Sequence, residues 1–174
     1  MNRIYFKDRK NIVAFCIFAS LALSLMIMIF CLSAQNADIS SDTSGGLIRL
    51  AMGIVNPKFE ELSATEQENI ISSLQFFVRK GAHAGAYMLL GFCLSGAWLQ
   101  IDGIKPLLRA VFGFIIAVLY SISDEIHQLF IPGRSGELRD VLIDSSGAAV
   151  GALVIFLIWK LLKTQKTEFK NQIH

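Results

Sequence analysis

Four long apolar runs decide what this chain can become: Asn11–Ser33, Ala82–Gln100, Pro106–Ser123 and Val141–Trp159. A helix crossing a bilayer takes roughly 17–25 predominantly apolar residues, and each run is long enough or nearly so. The chain is 53% hydrophobic with a mean hydropathy of +0.53, more than a water-soluble domain of this size would need. Its 174 residues suit one domain. The expected fold is therefore all-α: a polytopic membrane helix bundle with four transmembrane helices, occupying 1–174 as a single domain. The first run resembles a secretory signal, but its core is longer than the roughly 7–15 residues of a signal peptide and no A-x-A site follows. It reads as a retained first span.

Basic residues give the orientation. Arg3, Lys7, Arg9 and Lys10 stand before the first span against one acid, Asp8. Lys160, Lys163, Lys166 and Lys170 follow the last span, and Lys105 and Arg109 flank the turn between the second and third. The positive-inside rule then predicts both termini in the cytoplasm of a cell membrane, with 160–174 as a cytoplasmic tail. Trp98 and Trp159 fall at cytoplasmic span ends, where amphipathic rings favour the interface. A net charge of +2 and the lack of a basic, aromatic-interleaved patch argue against a nucleic-acid partner. Cys16, Cys31 and Cys93 lie inside apolar runs without metal-ligand spacing and read as small buried hydrophobes.

The outer loop spans about 34–78. Its opening, SAQNADISSDTSGG, is polar and Ser/Gly-rich and reads as irregular. Gly46–Val55 reads as a short interfacial helix stopped by Asn56-Pro57. Ser63-Ala64-Thr65-Glu66 has capping-box spacing. Ile70, Ile71, Leu74, Phe77 and Val78 then make one apolar helical face, expected to bend at Gly81 into the second span.

Charge is concentrated where these spans end. Ser123 to Asp144, SDEIHQLFIPGRSGELRDVLID, packs Asp124, Glu125, Glu137, Asp140, Asp144, His127, Arg134 and Arg139 between apolar flanks. Ionisable groups at membrane depth are costly and are usually paired or functional. On the second span Arg79, His83 and Tyr87 share a face with Lys80 at its border, and Gly81 and Gly85 have a spacing that permits close helix approach. On the third, Tyr120, Asp124 and His127 share a face, Gln128 lies at its edge and Glu125 points away. On the fourth, Asp140 and Asp144 are a turn apart, and Gly147 and Gly151 of GAAVG continue the same face. The aspartates are therefore expected to point into the bundle, with Asp124 and Asp140 as neighbours across the Pro-Gly turn.

Three uses of this cluster stay open. It can be a structural lock in which Arg79, Lys80, Arg134 and Arg139 neutralise the acids and pin three helix ends. It can be a headgroup site in which arginine and lysine grip a phosphate, with His83 or His127 completing the hydrogen bonds. It can be catalytic, with Asp124, Asp140 and Asp144 holding a divalent cation, Mg²⁺ or Mn²⁺, and a histidine as general base. Gly136-x3-Asp140-x3-Asp144 matches the tail of the CDP-alcohol phosphotransferase signature, but the front half is missing. A transport role has no ionisable path across the membrane to support it, and zinc has no HExxH or paired-cysteine pattern.

The runs RKGAHAGAYMLLGF and SDEIHQLFIPGRSGELRDVLIDSSGAAVG, with the SAQ…S…S run after the first span, together resemble the VanZ-like family. The resemblance covers about Phe30 to Leu157. It implies a bacterial polytopic membrane protein connected with teicoplanin resistance, one that alters access to or binding of a lipoglycopeptide at the cell envelope. The partners it implies are membrane lipid and a lipid-linked cell-wall precursor or lipoglycopeptide. The family pattern carries over to Arg79, Lys80, His83, Tyr87, Asp124, Glu125, His127, Gln128, Arg134, Asp140 and Asp144. It departs at Ala86, where the family commonly has glutamate before the tyrosine.

Overall fold

The computed structural model describes residues 5–172, so the sequence's Arg3 lies outside the described residues, as do the side chains of Lys166 and Lys170. Five helices follow one another: α1 (Arg9–Ser33), α2 (Ala37–Val55), α3 (Ala64–Leu99), α4 (Pro106–Gln128) and α5 (Leu138–Gln172). A single 3-10 turn, Pro57–Glu61, lies between α2 and α3. Helices α1, α3, α4 and α5 are each long and apolar enough to cross a membrane. The protein is an all-α, multi-pass membrane bundle.

Local chemistry sets most helix boundaries. The Asp8 carboxylate caps α1 by accepting from the Asn11 amide at 3.1 Å. Ser63 and Glu66 form the reciprocal capping box that starts α3. Pro106 opens α4, where its missing N–H removes no helical bond.

The outer segment differs from the sequence expectation in two ways. The stretch read as irregular is helical from Ala37, because the Asn36 side chain accepts from the Ile39 amide at 2.9 Å. Thr43 and Ser44 donate back to the Ile39 and Ser40 carbonyls, so their hydroxyls are satisfied within the helix instead of breaking it. Gly45 is held against Ile71 and Gln75, and the Gln75 amide donates to the Ser41 carbonyl at 3.0 Å. The second difference lies in α3, which runs unbroken through Gly81.

Gly81 and Gly85 have no neighbour within reach of an added Cβ, so the close approach expected there is absent. The approach lies elsewhere on α3. A Cβ on Gly147 would run into the Ala84 carbonyl, one on Gly151 into Met88, and one on Gly91 into Ala148. The GAAVG run of α5 therefore lies directly on the α3 backbone. Gly113 on α4 meets the backbone at Ser95 in the same way. Ala22, Ile29, Tyr87, Leu90, Cys93, Ala117 and Ala148 form the core. A smaller cluster, Ile48, Phe59 and Ile71, fixes α2 and the 3-10 turn to α3.

At one end of the bundle Tyr5 and Asp102 exchange backbone hydrogen bonds, joining the N-terminal segment to the α3–α4 turn. Arg109, which the sequence presents as a topogenic cation, is buried there. It donates to the Ile104 and Leu99 carbonyls and pairs with Asp102 at 3.3 Å. The dense polar cluster occupies the other end.

Candidate functional site at the polar end of the bundle

Three helices and one turn bring the charged residues together. Helical phase on α3 carries Arg79, Lys80 and His83 toward α5 and the α4–α5 turn. The turn itself reverses at Gly133, whose φ of 75° is a conformation that L side chains rarely adopt. It places Arg134 over the ends of α1 and α4: its guanidinium donates to the Gln35 carbonyl at 3.1 Å, the Leu32 carbonyl at 3.4 Å and Gln128 Oε1 at 3.5 Å.

Gln128 links this arginine to two buried acids, donating to Asp124 and Glu125 at 3.3 Å each. Asp124 also accepts from Ser33 of α1 at 2.9 Å. Glu125 points, as its phase requires, away from Asp124 and into the turn, where it accepts from the Glu137 amide at 2.8 Å. On α5, Asp140 is paired with Lys80. Asp144 lies 3.9 Å from His83 Nδ1 and accepts from Ser121 at 3.4 Å. Asp124, Glu125 and Asp144 are only 3%, 5% and 0% exposed, so the expectation that α5's aspartates turn inward holds most fully for Asp144. Burial lowers the Arg134 guanidinium below its ordinary pKa; Arg79 beside it adds to this, and Asp124 and Glu125 oppose it.

The expected residues do not all meet at one point. Asp124 faces α1 and Asp140 faces Lys80, so the two serve different sides of the cluster. His127 stacks on Phe30 of α1, with ring centroids 4.6 Å apart, and its Nε2 is buried without a hydrogen-bond partner among the described residues. Tyr87 is fully buried beside Tyr120, whose hydroxyl donates to the Met26 carbonyl at 2.6 Å. Arg139 is exposed, its guanidinium over the Phe76 ring at 4.7 Å. Among the described residues no three His, Cys, Asp or Glu side chains group as a metal ion requires, so Asp124, Asp140 and Asp144 do not assemble the divalent-cation set read from the sequence.

Sequence reasoning left out Ser33, Gln35 and Ser121. Ser33 and Gln35 belong to the SAQ run after the first span, and that run was the available signal. Ser121 sits one turn before Asp124 and Glu125 but carries nothing that distinguishes it from a packing serine.

Two cavities lie at this end. One, of about 190 Å³, lies between α1, α2 and α3 and is walled by Ile29, Leu32, Leu47, Val78, Ala82 and Ala86, with Ser33, Arg79, His83 and Arg134 also on its lining. The other, of about 240 Å³, is a polar cleft bordered by Arg79, Lys80, Arg134, Glu137, Arg139 and Asp140. Arg79 and Arg134 line both.

Comparison with known proteins adds one match. The model of the family described as VanZ/LLP1 matches residues 15–160. No curated protein and no solved structure matches the chain.

Proposed function

The chain belongs to the VanZ/LLP1 family, and from that premise we propose that it acts in a bacterial cell envelope through the polar cluster, held at the outer leaflet. In this reading the protein binds an envelope component there, a membrane lipid or lipid-linked cell-wall precursor, and so lowers the action of a lipoglycopeptide such as teicoplanin. The observation that carries it is the burial of Asp124, Glu125 and Asp144 together at one end of the bundle. Such groups are retained at membrane depth when they are paired or used. The outward placement of this end is supported by the cations gathered at the opposite one, where Lys7, Arg9, Lys10, Lys105 and Lys160 stand.

Single substitutions Asp124→Asn and His83→Ala, made in cells challenged with teicoplanin, test this. We expect tolerance to fall while the protein stays at normal abundance. Tolerance that tracks abundance alone would instead make the cluster a structural lock. A second reading, an enzyme acting on lipid-linked phosphate substrates, is favoured by the placement of His83 at the cavity wall with Asp144 3.9 Å behind it. Turnover of a lipid-linked precursor by the purified protein, with and without Mg²⁺, separates enzyme from binder.

A further inference from the structure

Arg79 is half-buried, yet among the described residues its side chain makes no hydrogen bond or ion pair. Its electrostatic neighbour Arg134 has the same sign. Arg134 spends its hydrogen bonds on neutral acceptors, the Leu32 and Gln35 carbonyls and the Gln128 amide oxygen. The nearby carboxylates bond to other groups: Asp124 through one oxygen to Ser33 and Gln128, its second oxygen having no hydrogen-bond partner among the described residues, Glu125 to Gln128 and the Glu137 amide, and Asp140 to Lys80. Two adjacent guanidiniums, neither bonded to a carboxylate, keep the charge that an anion site needs.

Their position gives the rest of the ligand. Both arginines line the polar cleft and the apolar cavity alike. A group held between them has the basic residues Arg79, Lys80, Arg134 and Arg139, with Glu137 and Asp140 among them, on one side and Ile29, Leu32, Ala82 and Ala86 on the other. Leu47 and Val78, which also line the cavity, are exposed apolar side chains, so the cavity has an apolar rim. We infer that this site binds a phosphate-bearing amphiphile, with the phosphate between Arg79 and Arg134 and the first part of its chain between α1, α2 and α3. A dianionic phosphate matches two cations where a carboxylate would match one. The apolar cavity of about 190 Å³ takes the beginning of a chain, and the remainder passes out by Leu47 and Val78. The inference rests on the proposed binding function and names the ligand class of that same site.

The test uses the purified full chain in an uncharged maltoside detergent, titrated calorimetrically with monoalkyl phosphates of increasing length below their micellar concentrations. Affinity is expected to rise about fourfold per methylene over the first several carbons and then level off. Inorganic phosphate should bind weakest, and alkyltrimethylammonium ions of matched length should not bind. Arg79→Gln, which removes no hydrogen bond within the protein, should weaken every alkyl phosphate by about tenfold. Ala86→Phe should flatten the dependence on chain length while leaving inorganic phosphate binding unchanged. Equal binding of the ammonium series, inorganic phosphate bound as tightly as the longest alkyl phosphate, or a chain-length slope that survives Ala86→Phe would each overturn the inference. Tolerance to teicoplanin that depends on Arg79 without any alkyl phosphate binding would sink this inference alone. Alkyl phosphate binding in a protein whose Arg79→Gln variant keeps full tolerance would leave the site standing and remove the proposed role.

Discussion

Gly151→Ala and Gly81→Ala make the same chemical change with opposite expected effects. Both residues are helical, and alanine in a helix is favoured over glycine by about 1 kcal/mol. At Gly81 nothing lies within 4 Å of the added carbon, so that gain is realised in full. At Gly151 the carbon would overlap the Met88 carbonyl and stand 2.8 Å from the Phe92 nitrogen and 2.9 Å from the Met88 carbonyl carbon. These are backbone atoms that no side-chain rotation can move, so α5 must shift away from α3. Overpacking costs typically about 1–3 kcal/mol, and a backbone obstacle puts this site toward the upper end. Subtracting the helix gain leaves a net loss of about 2 kcal/mol. At about 2–4 °C per kcal/mol for a chain of this size, Gly151→Ala should melt about 4–8 °C below the parent and Gly81→Ala about 2–4 °C above it. Thermal unfolding of the three proteins in one detergent reads both shifts. If the two variants move in the same direction, the seam between α3 and α5 is not where the structure has it.

Two further substitutions address the charged end and the outer segment. Asp140→Asn should cost about 1–3 kcal/mol by leaving the Lys80 ammonium without its partner, while Lys80→Met with Asp140→Leu should cost less than the two single changes summed; strict additivity in denaturant unfolding would remove the pair from the account. Asn36→Ala should cost α2 about 1 kcal/mol by removing its cap, speeding hydrogen exchange at the Ile39 amide and leaving mid-α3 amides unchanged; unaltered exchange at Ile39 would return the segment to the irregular form its composition suggests.

The fold was legible because its strongest signals are local and long. Each apolar run became a spanning helix, and Ser63 with Glu66 marked a helix start that the structure reproduces. What failed was phase relative to a neighbour. Gly81 and Gly85 have the same spacing as Gly147 and Gly151, but spacing does not say whether another helix stands opposite. The Ser/Gly-rich opening of the outer segment misled because composition counts serine and glycine as breakers. It does not count a cap at Asn36 or hydroxyls that fold back onto carbonyls four residues earlier. At the cluster, residue types and helical faces were readable, but the choice of partner was not. Lys80, placed at the border of its face, takes Asp140, whereas Arg79 at the face's centre takes no partner among the described residues. Arg134 bonds to the carbonyls of Leu32 and Gln35, and a backbone carbonyl carries no sequence signature at all.

The two sides of the cluster are built differently, and the difference bears on how a ligand would enter. On the α5 side one strip of helix does two jobs. Asp140 and Asp144 meet Lys80 and His83, and Gly147 and Gly151 directly below them let the α3 and α5 backbones touch. Backbone contact just beneath the His83–Asp144 pair leaves little freedom for that pair to separate, which is the kind of support that fixes a functional constellation. On the α1 side the only buried residues of the helix are Ala22, Ile29 and Ser33. There the helix end is tied by hydrogen bonds, Ser33 to Asp124, Arg134 to Leu32 and Gln35, and Tyr120 to Met26. The apolar cavity lies between α1, α2 and α3, against this second side. Any ligand that engages Arg134 acts on the same guanidinium that holds the end of α1. Occupation of the site and docking of α1 therefore share one side chain, while the α3–α5 seam stays fixed beneath them.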